Sequence, residues 1–147
     1  MKRALTVLVV AAALAVTWSI GLVHGQGRQL QKKELIFVPA GEAKFKEVVA
    51  GVSKAVLWGN QDRGPYGAFT KFAPGYDAGM HTHTNDVWIV VLKGAYRYKD
   101  DGGEKRVVPG DFMRIPGRHK HWSGGDPQEG ALFYEESSGK FDLLPAK

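Results

Sequence analysis

The histidines are the residues whose type and spacing point most directly to chemistry. Five occur in the chain, and four of them form two pairs with one residue between the partners, His81-Thr82-His83 and His119-Lys120-His121. In a β-strand, residues i and i+2 share a face with Cα atoms about 6.5–7 Å apart, so two imidazoles can bind one metal ion. On an α-helix the same spacing turns the side chains away from each other. The spacing therefore predicts a metal chelate on a strand, with a third ligand from another strand.

Short β-strands are the elements that the rest of the sequence predicts. Residues 87–92 form a continuous apolar run, which is typical of a strand buried on both faces. Residues 35–39, 131–136 and 141–144 are further predicted strands, and residues 100–103, Asp-Asp-Gly-Gly, predict a hairpin turn. The chain has 19 Gly and seven Pro, and no segment after the N-terminal apolar run shows a long helical period. We therefore expect an all-β sandwich or barrel.

Two glycine-marked motifs surround the histidine pairs. Gly75 precedes the first pair by five intervening residues and Gly94 follows it, whereas Gly110 and Pro116 precede the second pair. In this order and at this spacing the motifs resemble the two motifs of the cupins, over roughly residues 67–136. The resemblance implies an antiparallel double-stranded β-helix, also called a jelly-roll barrel, with a metal site in its mouth. By carry-over it also implies three metal ligands, His81, His83 and His121.

The sequence departs from the cupin pattern at two places. The pattern expects Glu four or five residues after the second histidine of the first motif, where Val87 and Trp88 stand, and Asn near the end of the second, where Gly125 stands. The site therefore resembles the three-histidine subgroup. Asp86 is an alternative ligand if a bulge reorients it, although strand alternation points it away from His81 and His83. His119 is either a residue of the pocket mouth or surface, or a fourth ligand.

Three neutral imidazoles would leave a divalent ion its full charge and open coordination positions. Imidazole suits Fe, Zn, Ni and Cu, so we expect one divalent ion, Fe(II) or Zn first, with Ni, Cu or Mn as alternatives. Iron would allow an oxygenase reaction on a bound substrate, whereas Zn or Ni would polarise a carbonyl or activate water. Three-histidine cupins similar to this chain include dioxygenases that cleave diketones or activated aromatics, so the resemblance implies a reaction class without a substrate.

Aromatic and apolar side chains are expected to line the pocket. The candidate wall residues are Phe72, Met80, Val87, Ile89, Tyr96, Tyr98, Phe112, Met113, Trp122 and Tyr134. The candidate catalytic or metal-supporting polar groups are Tyr98, Tyr134 and Glu136, because a phenol or carboxyl group near the metal can move a proton or orient a ligand.

The N-terminus has the layout of a secretory signal peptide. Lys2 and Arg3 precede an apolar run that reaches about Val23, and a small residue, Gly25, follows. We therefore predict a signal peptide at 1–25, a flexible arm at 26–34 and a cupin domain at 35–147, located in the periplasm or secreted. An uncleaved membrane anchor is the alternative. The resemblance to cupins also implies a homodimer formed by strand exchange, in which the segment from Gln26 to Phe37 could exchange between two copies.

Charge and composition exclude several other classes. The formal charge is +5, but two of the 20 basic residues lie in the predicted signal peptide, and the 18 that remain are interspersed with 15 acidic residues. Nothing resembles a nucleic-acid-binding stripe, and after cleavage we expect no membrane contact. The absence of Cys excludes disulfides, iron–sulfur clusters and a thiol nucleophile.

The sequence thus favours an exported metal-binding cupin, an oxygenase-type enzyme that acts on a small organic molecule. A non-catalytic cupin that binds a metal or ligand, for example as a sensor, is the main alternative. A metal-assisted lyase or isomerase is a further alternative. In each case the partner would be a small molecule.

Overall fold

The fold of residues 34–146 is described by a computed structural model. The predicted signal peptide, residues 1–25, and all but the last residue of the predicted arm lie outside the described residues, so both stay predictions. The described part contains no helix that is long and apolar enough to cross a membrane.

The described residues form two antiparallel sheets. A 3₁₀ turn at Ala40–Glu42 precedes the strands. The strands in chain order are β1 Lys46–Val49, β2 Val52–Gly59, β3 Tyr66–Phe72, β4 Asp77–Thr82, β5 Val87–Gly94, β6 Tyr96–Asp100, β7 Gly103–Val107, β8 Phe112–Ile115, β9 His121–Gly125, β10 Ala131–Ser137 and β11 Leu144–Pro145. The six-stranded sheet has the order β1-β2-β3-β10-β5-β8, and the five-stranded sheet has the order β11-β4-β9-β6-β7. The predicted all-β class is confirmed.

The hydrophobic core lies between the inner faces of the two sheets. Burial alternates along β10 and over residues 87–91 of β5, so that Ile89 and Phe133 are buried while their neighbours are more exposed. From the other sheet, Tyr96 and Tyr98 of β6 join the same cluster, as the shared face of an alternating strand requires. The aromatic rings of Tyr96 and Phe133 meet edge to face, 5.1 Å between centroids, which ties the two sheets together.

A glycine allows the chain to pass from one sheet to the other. Gly94 ends β5, and the next strand, β6, belongs to the opposite sheet. Its φ of +69° is in the left-handed region, and a Cβ added there would lie 2.3 Å from the carbonyl oxygen of Gly130. Only glycine fits this crossing without displacing the backbone.

The structure differs from three strand predictions: one strand is buried on one face instead of two, one predicted strand is absent from the described residues, and one is shorter than predicted. The run at 87–92 is buried on one face only, because Leu92 is 45% exposed and Trp88 and Val90 are half-buried. Residues 35–39 form no strand, since no neighbouring strand of the described chain pairs with them, and Phe37 is exposed. Of the run at 141–144, only Leu144 enters a strand, β11. All three runs are largely apolar, but an apolar run becomes a strand only beside a pairing partner and is buried on both faces only beneath a second layer. Apolar residues alone do not reveal either neighbour.

Candidate metal centre

Two neighbouring strands of the five-stranded sheet bring the three histidines together. His81 lies on β4 and His121 begins β9, and the two are direct partners in the antiparallel register. His83 follows two residues after His81, immediately beyond the end of β4, so that it stays on the same side as His81. Local alternation supplies one pair, and cross-strand pairing supplies the third imidazole.

The three imidazoles form a compact, buried group. Their ring centroids are 4.3 Å apart for His81 and His121, 4.9 Å for His81 and His83, and 5.4 Å for His83 and His121. One nitrogen from each lies within 4.8 Å of the others, and the residues are at most 9% exposed. Metal–nitrogen bonds of about 2.0–2.1 Å can reach all three from a common centre. The structure therefore joins the expected ligands into a group that could hold a metal ion.

The hydrogen bonds of the rings orient this group for metal binding. Each Nδ1 contacts a backbone carbonyl oxygen: His81 that of Gly79 at 2.8 Å, His83 that of Asp142 at 2.5 Å, and His121 that of His119 at 2.9 Å. A carbonyl only accepts, so Nδ1 carries the proton and Nε2 carries the lone pair. The Nε2 atom of His121 is buried without a hydrogen-bond partner. An orphaned lone pair beside two other imidazoles fits a divalent ion as the missing partner.

Burial keeps the imidazoles in the neutral form that metals bind. It lowers the pKa of His81, His83 and His121 below the ordinary value, and for His121 to about 4, partly opposed by the hydrogen bonds to backbone carbonyls. The neighbouring histidines lower the pKa of His121 further, because two imidazolium ions so close together repel each other.

We expect the metal-free protein to lose stability as the pH falls from about 6.5 to about 4. In this window the unfolded chain protonates its histidines, whereas the buried His121 stays neutral, so protons favour the unfolded state. Thermal melting across this range measures the effect, and a His121→Asn variant should show a shallower pH dependence. An equally steep dependence in that variant would place the titrating group elsewhere.

A C-terminal segment supports His83 from outside the two histidine strands. The backbone oxygen of Asp142 accepts the His83 proton, and the Asp142 carboxylate accepts hydrogen bonds from the Thr84 backbone N–H at 2.8 Å and hydroxyl at 2.5 Å. Phe141, the preceding residue, packs its ring 5.7 Å from that of His83. The segment therefore fixes the orientation of one of the three expected ligands and covers it.

Removing this support should weaken metal binding. Asp142→Ala deletes both contacts to Thr84 and frees the carbonyl that orients His83, so we expect an affinity loss of about 10- to 100-fold, the range for lost outer-shell partners. Competition with a chromogenic chelator measures it. Asp101→Ala, which removes the same charge from an exposed hairpin turn, is the matched control. Equal affinity for both variants would contradict this role.

His119, the first histidine of the other pair, supports the site and lies outside the three-histidine group. His119 places Nε2 3.0 Å from Asp100 Oδ2, which also accepts from the Tyr98 hydroxyl at 2.8 Å. The Tyr98 ring stacks on His121 with 5.4 Å between centroids and an interplanar angle of 18°. Tyr98, a predicted catalytic residue, thus packs against an expected ligand, although it does not line the cavity described below.

Asp86, the alternative ligand, binds elsewhere. Its carboxylate accepts hydrogen bonds from Arg114 at 2.6 Å and from the Gly117 backbone at 2.8 Å, and it lies outside the histidine group. The alternation of the strand that starts at Val87 turns it away, so no bulge brings it to the histidines.

A pocket of about 390 Å³ opens beside His81 and His83. Four of the expected wall residues line it, namely Phe72, Val87, Ile89 and Tyr96. The other six do not: Met80, Tyr98, Phe112, Met113, Trp122 and Tyr134. Phe112, for example, points outward and is 66% exposed. The apolar walls of the pocket and its few polar groups are typical of small-molecule sites.

The wall that faces the histidines carries a buried ion pair that the sequence analysis missed. Glu135 on β10 and Lys54 on β2 both line the pocket and contact each other, at 5% and 6% exposure. The predicted catalytic residues Tyr134 and Glu136 are the neighbours of Glu135, so alternation places them on the opposite face of β10. There the Tyr134 hydroxyl donates to Glu136 at 3.1 Å. Had Phe133 been predicted as a core residue, strand alternation would have placed Glu135, two residues further on, on the same inward face.

Comparison with known proteins places the chain in a family. Residues 23–138 match the family described as the ChrR cupin-like domain. The match includes the three histidines and Glu135 but ends before Phe141 and Asp142. No curated protein matches the chain.

Solved structures with the same fold are similar over most of the described chain. The polyketide cyclase RemF from Streptomyces resistomycificus is 19% identical with a TM-score of 0.64, covering 78% of this chain and 87% of that one. KdgF from Halomonas sp. is 21% identical with a TM-score of 0.58, covering 69% and 94%. The structure of Rhodobacter sphaeroides SigE in complex with the anti-sigma factor ChrR contains a chain 18% identical with a TM-score of 0.53, covering 67% and 50%. These likenesses show the fold.

The family match spans most of the 147 residues. The chain therefore belongs to the ChrR cupin-like domain family within the cupin superfamily.

Proposed function

We propose that the chain is a metal-dependent cupin enzyme that acts on a small organic molecule, with an oxygenase reaction as the leading class. The observation that supports it most is the set of three imidazoles with Nδ1 held by carbonyls and Nε2 free, beside an apolar pocket. We propose Fe(II) or Zn as the ion, and the periplasm or the secreted state as the location.

The protein's own residues would hold the ion and shape its surroundings. The three neutral imidazoles add no charge, and a divalent ion bound to them would supply Lewis acidity and, as iron, redox chemistry. The stacked ring of Tyr98 and the backbone acceptors keep the imidazoles oriented. The apolar walls, such as Ile89 and Phe133, would lower the local dielectric around a bound substrate and so strengthen its electrostatic interactions.

A non-catalytic role in binding a metal or ligand is the second candidate. It is favoured by the match to the ChrR cupin-like domain and by the fold shared with a chain from the SigE complex with the anti-sigma factor ChrR. Neither Tyr134 nor Glu136, two of the predicted proton-transfer groups, lines the pocket. The fold shared with a polyketide cyclase supports a third candidate, a metal-assisted lyase or isomerase.

Metal content and oxygen uptake separate the first two candidates. Protein purified from its native compartment should contain about one metal ion per chain by elemental analysis, and His81→Ala should contain much less. Iron-loaded protein is then tested with a panel of diketones and activated aromatics in an oxygen electrode. Substrate-dependent oxygen consumption would support the oxygenase. Tight Zn binding without turnover would favour the non-catalytic role, and equal metal content in both proteins would refute the metal site.

A further inference from the structure

A charged group lies on the wall of the pocket opposite the histidine strands. Lys54 donates to Oε1 of Glu135, and the hydroxyl of the fully buried Tyr66 donates to the same oxygen at 2.6 Å. Oε2, the other carboxylate oxygen, takes part in neither contact. The lysine and the carboxylate belong to the six-stranded sheet, whereas the histidines belong to or directly follow strands of the five-stranded sheet.

The fold has little need of this ion pair. Two charges taken out of water cost several kcal/mol each, and well-packed apolar residues in their place are often as stable or more stable. The residues directly opposite Glu135 on the neighbouring strands are Ala68 and Ile89, so an apolar side chain would suit the position. A costly pair on the wall of a cavity points to a role in ligand binding.

The pair presents an acceptor to the pocket. The Lys54 ammonium lies 3.7 Å from the centre of the Phe141 ring and 5.5 Å from that of Tyr66, so aromatic faces cover the cation. An ionised carboxylate only accepts hydrogen bonds. The walls beside it, including Val52 and Phe133, are apolar. The chemistry on this wall therefore suits a compact apolar molecule with one donor group.

We propose that Glu135 is a specificity-determining residue, whose carboxylate accepts a hydrogen bond from a hydroxyl group of a small, largely apolar ligand lying in the pocket between it and His81 and His83. This rests on the proposed function for the location of the ligand. The ligand class is an apolar molecule with a phenolic, enolic or alcoholic hydroxyl. An analogue without that hydroxyl would leave a buried acceptor unpaired and would bind more weakly.

The test uses two probes that differ only by exchange of a hydroxyl for a methyl group, p-cresol and p-xylene. Their dissociation constants are measured by ligand-observed NMR on the full chain after chelation of metal. Wild type should prefer p-cresol by about tenfold or more, the value of one hydrogen bond to a charged group. Lys54→Met/Glu135→Leu, which removes both charges, should lose this preference. Glu136→Leu, one residue away on the outer face, should keep it.

Glu135→Gln is a second variant that keeps the side-chain shape, and it should lower the preference. Far-UV circular dichroism confirms that each variant is folded. No preference in wild type, no binding of either probe, or an undiminished preference in both Glu135 variants would overturn the inference. The measurement needs no metal, so a failure of the proposed metal function leaves it intact. Conversely, a wild type that binds metal but does not distinguish the probes would overturn this inference alone.

Discussion

Replacing His121 by alanine is expected to abolish stoichiometric metal binding. Its Nε2 is buried without a partner, and its ring centroid is 4.3 Å from that of His81 and 5.4 Å from that of His83. Loss of a ligand should cost more than the roughly 10- to 100-fold that loss of an outer-shell partner costs. Isothermal titration with Zn²⁺ and elemental analysis of the purified protein measure the loss.

The matched control for this change is His119→Ala. It removes the other histidine of the same pair, which contacts Asp100 and lies outside the ligand group. We expect it to retain about one metal ion per chain, with weaker binding at most by the outer-shell range. If His119→Ala lost as much metal as His121→Ala, the assignment of ligand and supporting residue would be wrong.

The second large effect concerns stability. Substituting Lys54 alone by Met, or Glu135 alone by Leu, should destabilise the fold by about 3–5 kcal/mol, because each leaves its partner as a buried, uncompensated charge. The double variant should recover much of this loss, since it removes both charges, but should stay about 1–3 kcal/mol below wild type because the buried Tyr66 hydroxyl loses its acceptor. The four proteins form a double-mutant cycle, read from their urea unfolding midpoints.

An exposed ion pair provides the control for the cycle. Arg97 and Glu104 pair across the β6–β7 hairpin with side chains 32% and 46% exposed. Glu104→Gln should change the stability by at most about 1 kcal/mol, because water and salt screen the pair. A double variant of Lys54 and Glu135 as unstable as the single ones would show that the ion pair itself holds the fold.

The predictable part of the site follows from local periodicity. Alternation along a strand places His81 and His83 on one side from their spacing alone, and the order of Gly75, Gly94 and Gly110 points to a cupin. The structure explains why a glycine stands at position 94 of this motif, since the backbone crosses between the sheets there with a positive φ. These features depend on residues close in sequence, so no knowledge of the packing is needed.

The missed part depends on parity and on distant contacts. The run at 131–136 is a strand, as predicted. Its inward face carries Glu135, however, and the predicted residues Tyr134 and Glu136 lie on the outer face. Loops between strands carry no alternation, so parity cannot be followed through them. Lys54 lies 81 residues from Glu135 and Asp142 lies 59 residues from His83, and neither pairing leaves a local signal.

By itself the sequence determined a chain of short strands with two histidine-bearing motifs, because strand periodicity and turn glycines are local properties. The tertiary structure alone decided that His119 is a supporting residue, that Glu135 faces the pocket and that the segment with Phe141 covers His83. These assignments depend on which strands become neighbours and which of their faces is buried. That outcome is set by the packing of the whole molecule, since burial removes some side chains from water and leaves their neighbours exposed.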